Sequence, residues 1–317
     1  MDQIRPRLLV LIAAAGLLVG ARADRPLPQD FPIRAAHWLS PEGRERALAE
    51  EPPECAAPPQ DEDGRLAFEI GRTAFRAPLL LGGQAARAGL RCESCHSNGR
   101  RNPDFDFPGL SGEPGTADVT ASEMSSHRGN GVFDPRRIPD LAVPAKVSRD
   151  SANRELEKFM HGLIVEEFDG AEPPPRILAG LAAYVRAIGR TSCDADVPVP
   201  IGVTGRISDV KRAMTAARSS LRRGDRDAAR LMLGAARSLL GQIDERYAAI
   251  PRVQRSLRGA DGDLRAIIAS LDGGEDVGAQ IGRWESRFPK FSEALIRNER
   301  LSLFNRQRLH RALDMQP

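Results

Sequence analysis

The sequence predicts an all-α protein: a helical domain folded around a short segment carrying two cysteines, followed by a C-terminal helical bundle. Three observations support this. From Arg65 onward, apolar residues recur at spacings of three and four wherever a period is detectable. No stretch alternates as a half-buried strand would. The last third of the chain, beyond a Pro- and Gly-containing connection, is periodic almost to its end. With 317 residues, 41% hydrophobic and only 5% aromatic, the chain is long enough for about two domains with largely aliphatic cores.

Residues 1–23 read as a secretory signal peptide. Arg5 and Arg7 precede an apolar run from Leu8 to Val19, and Ala21-Arg22-Ala23 supplies the small-residue cleavage pattern before Asp24. The run is shorter than the roughly 20 residues a membrane span requires. No later segment is apolar enough to span, so the mature chain is expected in the periplasm, with no transmembrane segment.

Residues 24–64 form a Pro-rich N-terminal arm, expected to be extended apart from one short helix starting at Ser40-Pro41, where Ser caps and Pro suits the first turn. His37 and Trp38 are expected to pack on the domain that follows. That domain spans residues 65–193. It opens with "RLAFEIGRTAFRAPLLLGG", helical through Leu66, Ile70, Thr73 and Ala74 and stopped by Gly82-Gly83. The segment "GLRCESCHSNGRRN" comes next, then a long irregular stretch rich in Gly, Pro, Asp and Ser. Such a stretch inside a compact domain is usually functional or wrapped around something. Order resumes at "SANRELEKFMHGLIVEEF", with Ser151 as the cap and Leu156, Phe159, Met160, Leu163 and Ile164 on one face. A closing helix, "PPRILAGLAAYVRAI", buries Ile177, Leu178, Leu181, Tyr184, Val185 and Ile188.

Residues 194–205 read as a linker, and residues 206–317 as a basic helical bundle. One stripe holds Ile207, Val210, Met214, Ala217 and Leu221, and the next runs from Leu231 to Tyr247. Shorter helices are expected over 264–271, 277–288 and 291–313. From Gly205 onward the chain carries 22 Lys and Arg against 14 Asp and Glu, a net of +8 within a total of +3. Arg-rich solvated helix faces account for this charge; a docking surface for an acidic partner is the alternative reading.

Of the four cysteines, Cys92 and Cys95 form Cys-x-x-Cys followed directly by His96. A structural zinc site needs four ligands, and no second local pair is present. A thioredoxin-type dithiol needs a strand leading into the motif, and none is legible. Covalent attachment of one haem accounts for all three residues. The thiols add to the two vinyl groups, and the adjacent imidazole reaches the iron as its proximal ligand. In an oxidising compartment the remaining Cys55 and Cys193 are expected to pair. A Met or second His on the far side of the iron makes an electron carrier, whereas an open position admits peroxide or small gases. The candidates are Met124, His127, Met160 and His161, with the first three preferred in that order and His161, beside the apolar stripe, also readable as a surface histidine. Met124 and His127 come first because their irregular loop can present a side chain without breaking a helix.

"IGRTAFRAPLLLGGQAARAGLRCESCHSNGR" is similar to the first haem-binding segment of the bacterial di-haem cytochrome c peroxidase family. "RRIPDLAVP" resembles that family's Arg-x-Pro-x-Leu segment, and "ILAGLAAYVRAI" resembles the closing helix of c-type cytochromes generally. The resemblance covers about residues 65–190 and implies a cytochrome c-like haem domain. Members of that family use two haems, whereas this chain has a single Cys-x-x-Cys-His. The expectation is therefore a mono-haem c-type cytochrome acting in electron transfer with a redox protein partner, in which Phe75, Phe105, Phe107 and Phe133 shield the haem. Two alternatives stay open. One is a peroxidase-like enzyme using Glu123, His127 or Arg128; the other is a haem-based sensor or scaffold working through the C-terminal bundle. Nothing marks nucleic-acid binding.

Overall fold

The computed structural model describes residues 30–127, 129–143, 147–189, 193 and 197–314. The expected signal peptide, Arg128 and part of the expected linker lie outside the described residues. The chain is mostly helical, and its only ladders among the described residues are two-residue antiparallel pairs.

The arm is more ordered than its composition suggested. After a 3-10 turn at Arg34–Trp38 comes α1 (Pro41–Ala49), where Ser40 accepts a hydrogen bond from the Gly43 N–H and Pro41 occupies the first turn. Trp38 is buried as expected, but His37 is exposed. The arm also makes a contact far along the chain. Phe31, Ile33, Leu39 and Leu48 form a small core with Leu309 of the last helix, α11 (Arg306–Asp314). Strand β1 (Glu50–Glu51) pairs with β4 (Val199–Pro200), so the expected linker is in part a strand held against the arm.

Helix α2 (Glu62–Phe75) starts at an Asp61 cap, and α3 (Gly83–Ala88) follows it, so Gly82-Gly83 begins a new helix as well as ending a segment. The motif itself forms α4 (Cys92–Cys95). In the irregular stretch beyond, β2 (Thr116–Ala117) pairs with β3 (Arg136–Arg137). Helix α5 (Glu155–Gly162) passes into a wider π turn at Leu163–Glu167, and Arg154, not Ser151, stands at its N-terminus. The expected apolar face of α5 is not all buried: Phe159 is 63% exposed. Glu157 of the same helix is buried against Arg186 at 2.8 Å, while Phe159 borders an open apolar cavity instead of packed core.

Helix α6 (Pro175–Ala187) crosses α2 at a pair of glycines. A Cβ on Gly71 would lie 1.8 Å from the Gly180 carbonyl oxygen, so only glycine permits this approach. Beside the crossing, the Tyr184 ring stands edge-on to Phe68 and Phe75, at centroid distances of 5.5 and 5.2 Å. Four long helices follow: α7 (Val203–Arg222), α8 (Arg226–Arg246), α9 (Pro251–Asp272) and α10 (Gly278–Asn298). Each touches the next, and α10 returns to α7. Helix α9 begins earlier than expected, because Val253 and Leu257 extend the buried stripe of Leu264, Ile267 and Leu271 through an Arg- and Gly-rich stretch. Separate helices were expected over 277–288 and 291–313, yet α10 runs through Pro289, with Phe288, Ser292 and Leu295 buried on either side.

One apolar core runs from Trp38 to Leu295, with α2 touching both α7 and α8. Cys55 and Cys193 form the expected disulfide, which spans 138 residues of sequence. Beside it runs a buried ionic network. Glu54 pairs with Arg72 at 2.6 Å and Arg76 at 2.9 Å and accepts a hydrogen bond from the Tyr184 hydroxyl at 2.8 Å. Arg72 also reaches Asp209 on α7 at 2.7 Å.

Candidate functional site: the cavity at the Cys92–His96 turn

Local hydrogen bonds and the ionic network fix the motif's shape. The Ser94 hydroxyl accepts from the Arg91 N–H at 3.2 Å, and Asn102 donates to the Ser94 carbonyl at 2.8 Å. Glu93 is buried against Arg76 at 2.9 Å and Arg91 at 3.2 Å. Burial alone would raise its carboxyl, but the guanidiniums of Arg76 and Arg91 outweigh that and hold it at about 2. After His96 the chain turns through Asn98 at φ 48°, where Asn98 accepts from Arg76 at 2.6 Å and donates to the Pro52 carbonyl at 2.8 Å. The Leu141 N–H donates to the Gly99 carbonyl, and Arg100 pairs with Asp140 at 3.0 Å, so residues 139–141 are drawn up beside the imidazole.

That placement determines the state of His96. Its Nδ1 lies 3.1 Å from the Pro139 carbonyl oxygen. A carbonyl only accepts, so Nδ1 carries the proton and Nε2 keeps a lone pair. Burial pushes the imidazole down to about 4, which keeps it neutral at physiological pH. A neutral imidazole of fixed tautomer, with the Nε2 lone pair free, is the form in which histidine ligates a metal.

Cys92, Cys95 and His96 line one apolar cavity of about 380 Å³, within the range of about 300–1,000 Å³ usual for small-molecule and cofactor sites. Phe75 from α2, Leu181 from α6, and Met160 and Phe159 from α5 contribute walls, and Arg136 and Arg137 of β3 also line it. Burial pushes both thiols up to about 12. Dithiol redox catalysis depends on a lowered thiol pKa, so these cysteines are poor candidates for it. They are also not set up as a zinc-type cluster: among the described residues no three His, Cys, Asp or Glu side chains are arranged to hold a metal ion. Two neutral thiols, an imidazole of fixed tautomer and an apolar enclosure suit a flat apolar macrocycle attached through sulfur. Such a group would be held by Cys92, Cys95 and His96, with the two arginines available to its acidic groups.

The expected far-side residues are distributed differently. Met124 is buried but does not line this cavity; it borders a separate pocket with Gln84, Arg87, Phe107 and Glu123. The loop that carries Met124 is tied by Asp118, whose carboxylate accepts from the backbone N–H groups of Thr120, Ala121 and Asp134. His127 is exposed and held 2.8 Å from the Glu166 carbonyl, while His161 pairs with Glu172 at 2.8 Å; neither lines the cavity. Met160 does line it, half-buried on α5. Of the four phenylalanines expected around the site only Phe75 lines the cavity, whereas Phe159 and Phe168, not anticipated, also do so. The sequence did contain a signal for Met160, its place on the stripe of α5. A core methionine and a cavity-facing one have the same spacing, however, so the pattern did not separate them.

Compared with known protein families, with curated proteins and with solved structures, the chain matches none.

Proposed function

We propose that the chain is an exported mono-haem c-type cytochrome working in electron transfer, with a cytochrome c-like haem domain carrying a C-terminal helical bundle. One covalent haem sits on Cys92 and Cys95, with His96 as proximal ligand. The observation that carries this reading is the convergence of both motif thiols and a tautomerically fixed imidazole on a single apolar cavity. When bound, such a haem supplies a one-electron iron couple. The residues do the rest. His96 keeps its proton at Nδ1 against Pro139 and offers Nε2. The aliphatic and aromatic walls exclude water, which tunes the potential. Arg136 and Arg137 put positive charge at the cavity, suited to haem carboxylates or to an approaching acidic redox partner.

Met160 replaces Met124 as our candidate for the sixth ligand, because it lines the same cavity as His96. The peroxidase-like alternative has less support: Glu123 and His127 do not line the cavity. Export to the periplasm rests on the expected signal peptide. Among the described residues no helix is long and apolar enough to cross a membrane.

The test is expression in a host competent in cytochrome c maturation. Intact mass should show one covalently added haem, and Cys92→Ala with Cys95→Ala should abolish it. A secreted chain of bare polypeptide mass would overturn the proposal.

A further inference from the structure

The short helix α4 separates two cavities. One is the apolar cavity of the two thiols. The other, of about 290 Å³, lies between the arm, α4 and α8 and is lined in part by Arg91, Glu93 and Ser94. Arg91 and Ser94 line both.

The second cavity is rich in charge, and most of it is paired. Arg91 pairs with Glu93 at 3.2 Å, Arg206 with Glu51 at 2.6 Å and Arg34 with Glu245 at 3.5 Å. Arg246 is the cation left over. It is only 8% exposed, and its guanidinium donates to the backbone carbonyls of Leu303 at 2.9 Å and Leu48 at 2.8 Å. One face lies over the Phe304 ring, 5.2 Å from its centroid. Among the described residues no carboxylate is within ion-pair distance of it. Burial and the nearby Arg206 push its pKa down to about 10, so it remains charged at neutral pH without a direct counter-ion. Gln242 lies one helical turn earlier on α8, on the same face, and its buried Nε2 has no hydrogen-bond partner. A buried donor left unpaired costs about 1–3 kcal/mol. Glu245 and Glu51 offset the charge of Arg246 only in part, because they lie beyond ion-pair distance of it and are paired with Arg34 and Arg206. A buried cation without a direct counter-ion and an unused donor, one turn apart in the same cavity, call for an anion. Trp38, Leu79 and Phe304 supply apolar wall beside them.

We propose that this cavity binds a small organic monocarboxylate, its carboxylate meeting Arg246 and the Gln242 amide and its apolar body lying against Trp38 and Phe304. The site is separate from the thiol cavity and does not depend on what that cavity holds. Because Arg91 and Ser94 belong to both walls, occupancy would act directly on the helix that carries Cys92 and Cys95.

The test is calorimetric titration of the purified full chain with benzoate at low ionic strength, with uncharged benzamide as the comparison. Benzoate should bind saturably at one site and benzamide should not. Gln242→Leu and Arg246→Lys should each weaken benzoate binding about tenfold, the range of one lost hydrogen bond to a charged group. Should Arg246→Lys fail to fold, Gln242→Leu carries the test alone, since it only removes an unpaired amide. Non-saturating heats with benzoate, equal binding of benzamide, or unchanged affinity in a folded variant would overturn the proposal.

Discussion

At the scale of single residues, hydrogen-bonding capacity decides the chemistry of the site. Pro139 has no N–H to offer, but its carbonyl settles which nitrogen of His96 bears the proton. Met160 and Met124 border different cavities, and only that of Met160 holds His96. In the haem-loaded protein, Met160→Ala should therefore convert a low-spin visible spectrum to a high-spin one, and Met124→Ala should leave it unchanged; the reverse pattern would restore Met124 as the ligand. Glu54 carries a pH dependence. Burial alone would raise its carboxyl, but Arg76 and Arg72 outweigh that and bring it from its ordinary 4.5 to about 2. A carboxyl whose folded pKa is depressed contributes stability that is fully present above the unfolded value and is lost as pH falls through the folded one. The window here is therefore about pH 4.5 down to about 2. Removing one partner of such a buried pair costs about 3–5 kcal/mol. Urea denaturation across pH should show Glu54→Gln less stable by that amount at neutral pH, with a flatter acid limb than the parent chain.

At the scale of elements, the α2/α6 crossing is the most constrained contact. The Gly71 and Gly180 backbones touch, and Phe68, Phe75 and Tyr184 of the same two helices pack edge-on beside them. Gly71→Ala must push the helices apart, and overpacking costs about 1–3 kcal/mol, with a clash against backbone at the upper end of that range. Thermal unfolding should register it as a clear loss of Tm, whereas Gly259→Ala, on α9 with open space around it, should show none. The disulfide acts on the same layer. It fastens residue 55 near the end of α6, where the Gly189 N–H also donates to the Cys55 carbonyl at 2.7 Å. In the chain-entropy view, a cross-link closing so long a loop contributes about 4–5 kcal/mol.

At the scale of the whole molecule, the two expected domains share one core. Arg72 reaches Asp209, Arg206 reaches Glu51, and the arm's β1 pairs with β4 just before α7. The chain's end is also engaged, since Leu309 closes the arm's apolar cluster. A chain ended at residue 197 would expose the faces of α2 and of Pro78–Leu80 that touch α8. It should bind the dye ANS and aggregate, whereas the full chain should not; a monomeric, cooperatively folding fragment would show that the first domain is self-sufficient.

How much of this was legible beforehand follows from the range of the interactions involved. The sequence alone determined the helices with strong stripes, the Ser40-Pro41 start, the Cys55–Cys193 pairing and the Cys-x-x-Cys-His motif, because period, caps and ligand spacing are local or compositional properties. It did not determine that Phe159 borders a cavity while Glu157 is buried, that Met124 and Met160 border different cavities, or that residues 199–200 pair with the arm. Those outcomes depend on partners distant in the chain: Arg186 for Glu157, Asp134 for Asp118, and Glu50 for Pro200. Helical spacing shows that a side chain lies on an apolar face, but only the tertiary structure decides whether that face meets packed protein or a cavity, because both satisfy the same hydrophobic pattern.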